Sequence, residues 1–152
     1  MKKERLRKFR MLTKKQLINL TVASFDAERM NDFAGNLDII DTNFTVVDMM
    51  IAPSGRFSRL SGMDLRDYMK KAFQIRDREF IFKTIVADVS SQTVVVEFIE
   101  SYPDKKTNKT FRTPQVAICK FKNSKLYRTR HYMDPRLSYE YLDIEEIESA
   151  ML

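Results

Sequence analysis

The residues of this chain best suited to chemistry lie along one short run near its end, K-L-Y-R-T-R-H-Y-M-D (125–134), which carries the single histidine, His131. Strand alternation puts Tyr127, Thr129, His131 and Met133 on one face of that run, and Leu126, Arg128, Arg130, Tyr132 and Asp134 on the other. A two-residue hairpin loop at Asn123-Ser124 pairs Val116 with His131 and Ile118 with Thr129, so the imidazole is expected among aliphatic side chains. An apolar wall disfavours the imidazolium and leaves a neutral nitrogen base for general acid–base chemistry. The plainer alternative is a hydrogen-bonded structural histidine.

Asp48 is the second candidate. It closes T-V-V-D and is followed by Met49, Met50 and Ile51. Buried among such neighbours, a carboxyl has a raised pKa and becomes a base for a weak carbon acid; at a strand end it is a turn or capping residue instead. Glu97, inside V-V-V-E-F-I-E, faces solvent by alternation. Tyr68 and Tyr127 have phenols that can donate to a substrate oxygen, although Tyr68 also fits the apolar stripe of a helix. The face of the last strand that holds His131, with Thr129, Met133, Val116 and Ile118, is the expected lining of a binding pocket.

Other chemistries find little support. There is no Gly-rich phosphate loop and no Ser in a nucleophile elbow, and Cys119 has no His close in sequence. One Cys and one His make no zinc or iron–sulfur set, so no metal and no cofactor are expected.

The elements that must position these residues follow from periodicity. Thr13 opens a Thr-x-x-Gln capping box, and Leu17, Ile18, Leu20, Val22, Ala23 and Phe25 supply a helical stripe, which predicts a helix over 14–28. A shorter helix is expected over NDFAGNL with Asn31 as its cap, and then a strand at TNFTVVDMM. A turn at Pro53-Ser54-Gly55 and a second capping box at Ser61 precede a third helix carrying Leu65, Tyr68, Met69, Ala72 and Phe73. From Glu79 the period becomes two: EFIFKTIVADV, QTVVVEFIES, TPQVAICKF and KLYRTRHYMD read as an antiparallel meander. Ile144, Ile147 and Met151 predict a C-terminal helix in an acidic segment.

At 152 residues, 43% of them hydrophobic, the chain suits one domain with one core. Its net charge of +6 is localised. Residues 1–15 hold eight of the 27 Lys/Arg and one of the 21 acids, a segment charge of +7, which leaves the remainder near −1. The folded body is therefore not expected to bind nucleic acid, and the basicity belongs to an arm, residues 1–13, before a pocket domain at 14–137 and an acidic helix or tail at 138–152. Leu6, Phe9 and Leu12 with basic residues between them allow the arm an amphipathic contact with an anionic surface or a pairing with the acidic C-terminal segment; an unstructured solvated arm is the simpler expectation. No apolar run reaches the ~18 residues of a membrane span, and a cytoplasmic protein is expected.

The order helix, short helix, strand, hairpin, helix and long strands, ending in N-S-K-L-Y-R-T-R-H-Y-M-D-P, resembles the nuclear-transport-factor-two-like superfamily in its SnoaL-like and ketosteroid-isomerase-like branch. Leu126, Arg130, Tyr132 and Asp134 fall in the order of that family's closing string, and Gly62 before the third helix is a second cue. The resemblance covers residues 14–137. It implies an α+β cone, a half-barrel of a curved antiparallel sheet wrapped around the N-terminal helices, with a small-molecule pocket and a homodimer through the outer sheet face. It also implies a general base at the position of Asp48, and an acid on the last strand where this chain has His131. A sensory domain of the PAS type is a competing fold, disfavoured by the capped first helix.

The resulting expectation is a cofactor-independent enzyme of isomerase, cyclase, dehydratase or epoxide hydrolase type. Its substrate would be a small apolar oxygenated molecule, with His131 and Asp48 as the acid–base pair. The alternative is a non-catalytic ligand-binding or protein-interaction module of the same fold.

Overall fold

The computed structural model of the chain describes residues 11–51, 57–61, 70, 73–133 and 141–152, without the side chains of 47–51 and 57–61. The first helix, α1 (Lys14–Arg29), starts where the capping box requires: Thr13 accepts from the Gln16 amide at 3.3 Å, and Gln16 accepts in return from Thr13 N–H at 2.9 Å. Its entry is tied to the sheet by Gln92, whose side-chain amide both accepts from Leu12 N–H (2.8 Å) and donates to Leu12 O (3.0 Å). Leu12 is buried in the core, so the folded body includes residues that the sequence assigns to the arm.

A short helix, α2 (Phe33–Ile39), follows. Asp32 caps it, accepting from Gly35 N–H at 2.8 Å, and the carboxylate occupies the place where a Cβ at position 35 would sit. The expected cap, Asn31, serves otherwise. It turns the chain at φ 58°, and its side-chain amide donates to the carbonyls of Phe73 and Ile75.

Six strands form one sheet in the order β2-β1-β6-β5-β4-β3: β1 (Ile40–Ile51), β2 (Phe57–Ser61), β3 (Glu79–Asp88), β4 (Thr93–Asp104), β5 (Lys109–Lys122) and β6 (Lys125–Tyr132). The expected meander β3–β6 is antiparallel throughout, whereas β1 pairs with β6 in parallel, which makes the sheet mixed. A third described helix, α3 (Ile144–Ala150), lies on the outer side, where Glu148 pairs with Lys83 and Arg112 donates to Leu142 O at 2.9 Å.

The concave face carries the core. Along β4 and β5, inward Val94, Val96 and Phe98 meet Ala117, Cys119 and Phe121, all closed to solvent, and α1 brings Leu17 and Phe25 down onto them. The Phe25 ring stands edge-on to Phe80, Phe82 and Phe98 at 5.1, 5.5 and 4.9 Å. Among the described residues no helix is long and apolar enough to cross a membrane.

The β5–β6 hairpin turns at Asn123-Ser124 as expected, with φ of 53° and 62°. Left-handed backbone suits Asn but costs a serine about 1 kcal/mol. Ser124→Gly is therefore expected to raise the unfolding midpoint by roughly 2–4 °C, read by circular dichroism. No rise would show that the hydroxyl contributes as much as the strain costs.

Candidate functional site

The register beyond this turn differs from the expected one. Lys122 faces Lys125 and Phe121 faces Leu126, but Lys120 then faces Arg128, leaving Tyr127 as the extra residue of a bulge. Every later pair slips by one. His131 stands opposite Ala117 and Thr129 opposite Cys119; Val116 and Ile118 fall opposite Tyr132 and Arg130, on the face away from the core. The expected pairings of Val116 with His131 and of Ile118 with Thr129 are thus corrected, and the inward neighbours of β6 come from Gln115, Ala117 and Cys119.

Thr129 is buried and hydrogen-bonds Cys119, whose thiol burial pushes up to about 12; it is an inert core thiol. Met133 and Tyr127 are half-buried. Glu97 lies on the outer face, where it accepts from Thr84 Oγ1 at 2.9 Å. Tyr68 lies outside the described residues, as do Gly62 and most of the expected third helix. The side chain of Asp48 also lies outside them, but its backbone does not: on the other flank of β6, Asp48 is the ladder partner of His131. Paired strands run roughly 4.8 Å apart, so this pairing sets two of the expected chemical residues side by side.

His131 heads a line of polar groups that runs from β6 across β5 and β4 to α1. Its Nδ1 is 3.3 Å from Gln115 Oε1; Gln115 Nε2 donates to Glu100 Oε2 at 2.6 Å; Glu100 Oε1 faces Arg78 Nε at 3.2 Å; and Arg78 Nη1 donates to Glu28 Oε1. The line settles the imidazole tautomer. Because the Gln115 amide nitrogen is committed to a carboxylate, its oxygen faces the ring, so Nδ1 carries the proton and Nε2 keeps its lone pair. Burial, with Phe98 standing edge-on at 6.4 Å, holds the imidazole pKa down at about 4. His131 is neutral at physiological pH.

Sequence reading missed the rest of the line. Arg78 is only 4% exposed, and its Nε, although ion-paired with Glu100, makes no well-aligned hydrogen bond. The guanidinium also lies over the Phe80 ring, 5.9 Å from its centre. Burial pushes the Glu28 carboxyl up to about 7, against the opposing pull of Arg78 and with a smaller push from Glu100. Tyr102, half-buried farther along β4, has its hydroxyl pushed up as well, by burial and then by Glu100. An open cleft of about 710 Å³ runs between the end of α1 and the 73–79 loop; Arg78 lines it, with Arg29, Phe73 and Arg76, and His131 does not. Among the described residues no three His, Cys, Asp or Glu side chains converge to hold a metal ion.

The curved mixed sheet and the N-terminal helices packed on it form an architecture that solved structures share. A candidate isomerase from Bacillus subtilis superposes with a TM-score of 0.71 at 19% identity, covering 84% of this chain and 92% of the other. This chain has the NTF2-like fold. An NTF2-like protein from Burkholderia xenovorans LB400 aligns at TM-score 0.64 and 19% identity over 86% and 98% of the two chains. An LEH-like epoxide hydrolase from M. tuberculosis aligns at 0.68 and 15% over 91% and 96%. No protein-family model matches the chain, and no curated protein matches it by sequence. At these identities the NTF2-like likeness is one of fold.

Proposed function

We propose that the concave face performs cofactor-independent acid–base chemistry on a small apolar molecule bearing a carbonyl, hydroxyl or epoxide oxygen, by isomerisation, cyclisation, dehydration or hydrolysis. The protein would work in the cytoplasm. The observation that supports this reading is the His131–Gln115–Glu100 line, in which a side-chain amide sets the tautomer of a neutral imidazole beside the apolar core. Asp48, its ladder partner, is the second acid–base group. An isomerase candidate and an epoxide hydrolase on the same fold are consistent with that reaction class.

Turnover of cyclohexene oxide to its diol, and deuterium uptake by cyclohexanone in heavy water, test the reading with simple substrates. His131→Asn and Asp48→Asn are each expected to slow the reaction tenfold or more. Rates unchanged in the double variant would hand the fold to the non-catalytic binding module. The same reading places a second copy against the outer face, where Ile81, Val86 and Val95 are exposed. Val86→Lys should then convert a dimer to a monomer in sedimentation; an unchanged sedimentation coefficient would remove the dimer from the proposal.

A further inference from the structure

Beyond residue 15 the chain sums to a charge near −1, which argues against nucleic-acid binding by the folded body, but that sum runs over all its faces and the structure divides it unevenly. Between Asp104 and Asp134 the chain has nine Lys/Arg and no acid. β5 and β6 come from this stretch. Their inward residues Ala117, Cys119, Phe121, Leu126 and Thr129 are closed to solvent, so alternation turns Lys120, Lys122, Lys125, Arg128 and Arg130 to the outer face.

The bulge at Tyr127 sets Lys120 directly opposite Arg128, and the turn sets Lys122 opposite Lys125. Like charges in opposed positions destabilise a sheet. Lys125 Nζ donates to the Asp38 carbonyl, whereas Lys120, Lys122, Arg128 and Arg130 have no ion pair or side-chain hydrogen bond among the described residues. The strip ends at Tyr132, whose side chain is 38% exposed on the same face, opposite Val116. From Lys122 to Val116 it spans six residues of β5, roughly 20 Å, and it is one hairpin wide. Carboxylates bound it on the β3 side: Asp88 pairs with Thr93, the neighbour of Lys120, and Glu97 pairs with Val116.

The basic N-terminal segment meets the sheet at the same end. Leu12 is pinned to the Gln92 side chain, and Gln92 O accepts from the amide of Phe121 at 2.9 Å, between Lys120 and Lys122. The ten residues that precede Met11 carry six Lys/Arg.

We propose that the outer face of the β5–β6 hairpin binds the phosphodiester backbone of single-stranded nucleic acid, and that the N-terminal segment extends the same basic track. A phosphate between Lys120 and Arg128 turns a repulsive pair into two charge-assisted contacts. The guanidinium groups of Arg128 and Arg130 offer planar forks to phosphate oxygens, and Tyr132 offers a ring on which a base can stack. A strip one hairpin wide matches a linear chain of phosphates. A planar anionic membrane would also press on Asp88 and Glu97, which repel it. This binding is independent of any chemistry on the concave face, and the exposed Ile81, Val86 and Val95 lie on β3 and β4, beside the strip.

The test is fluorescence anisotropy of a labelled oligouridine of about 15 nucleotides, titrated with the full chain between about 50 and 200 mM salt. Arg128→Gln/Arg130→Gln is expected to weaken binding about tenfold or more at the lowest salt. It should also flatten the slope of log K against log salt by about 1.4, or about 0.7 for each lost contact. Should that variant not fold, Lys120→Gln/Lys122→Gln removes the same charge from the other strand of the strip. Lys105→Gln/Lys106→Gln, which removes it from the turn at the far end of β5, should leave affinity within about twofold. Equal losses from the two sites, or a slope unmoved by Arg128→Gln/Arg130→Gln, would overturn the assignment to this face. Cosedimentation with phosphatidylserine vesicles by a protein that leaves the oligouridine free would overturn it in favour of a membrane.

Discussion

Arg78→Met will destabilise the protein at pH 8 by about 3 kcal/mol, a drop of roughly 10 °C in the unfolding midpoint. The methionine replaces most of the buried stem, so packing changes little, but Glu28 and Glu100 lose the guanidinium between them. Removing one partner of a largely buried ion pair leaves carboxylates that water reaches only in part and no counter-charge stabilises. The deficit should narrow on acidification to pH 5, because carboxylates stripped of their counter-charge take up protons. Arg78→Lys should recover only part of the loss, since an ammonium lacks the fork that reaches Glu28 and Glu100 from two nitrogens. Thermal unfolding at both pH values decides the cause: equal deficits at pH 5 and pH 8 would assign the loss to packing of the stem rather than to charge.

That an arginine 4% exposed holds the site together shows where sequence reading reaches its limit. Local signals placed the elements well. The Thr13 capping box begins α1, the period-two runs became β3 to β6, and Asn123-Ser124 turned the last hairpin. Two features depend on contacts between distant segments, and neither has a local signature. The parallel pairing of β1 with β6 joins residues some eighty positions apart, and the bulge at Tyr127 carries no glycine or proline to announce it. That single extra residue moved Val116 and Ile118 to the outer face, because a slip of one position exchanges the faces of a strand.

The site was legible in part. His131 stood out because the chain has no other imidazole, and Glu97 read correctly as outward. Gln115, Glu100 and Arg78 look like ordinary polar surface when taken one at a time. A signal was nonetheless present: Gln115 shares the inward alternation of Ala117 and Cys119, Glu100 that of Val96 and Phe98, and Glu28 the stripe of Phe25. A polar residue in phase with buried neighbours must find a partner or pay a desolvation penalty. Here Gln115 finds Glu100 directly, and Glu100 and Glu28 meet through Arg78.

The two opposed titrations have a consequence for stability that can be measured without any ligand. Glu28 is raised from 4.5 to about 7, so between those values the folded state holds a proton that the unfolded chain releases, and stability falls as pH rises through the window. His131 is lowered from 6.5 to about 4, so in that interval the unfolded chain binds the proton instead, and stability falls as pH drops. The windows overlap between pH 4.5 and 6.5 with opposite slopes, and in the wild type these two contributions cancel in large part. Glu28→Gln should uncover the histidine, with stability declining by up to 1.4 kcal/mol per pH unit on acidification from 6.5, towards a total of about 3 kcal/mol. His131→Gln should uncover the opposite slope, a decline from pH 4.5 to 7, made shallower because a third of the Glu28 side chain meets water. Urea unfolding of the three proteins at half-unit intervals of pH reads both slopes. Parallel curves for all three would mean that neither group is displaced by folding.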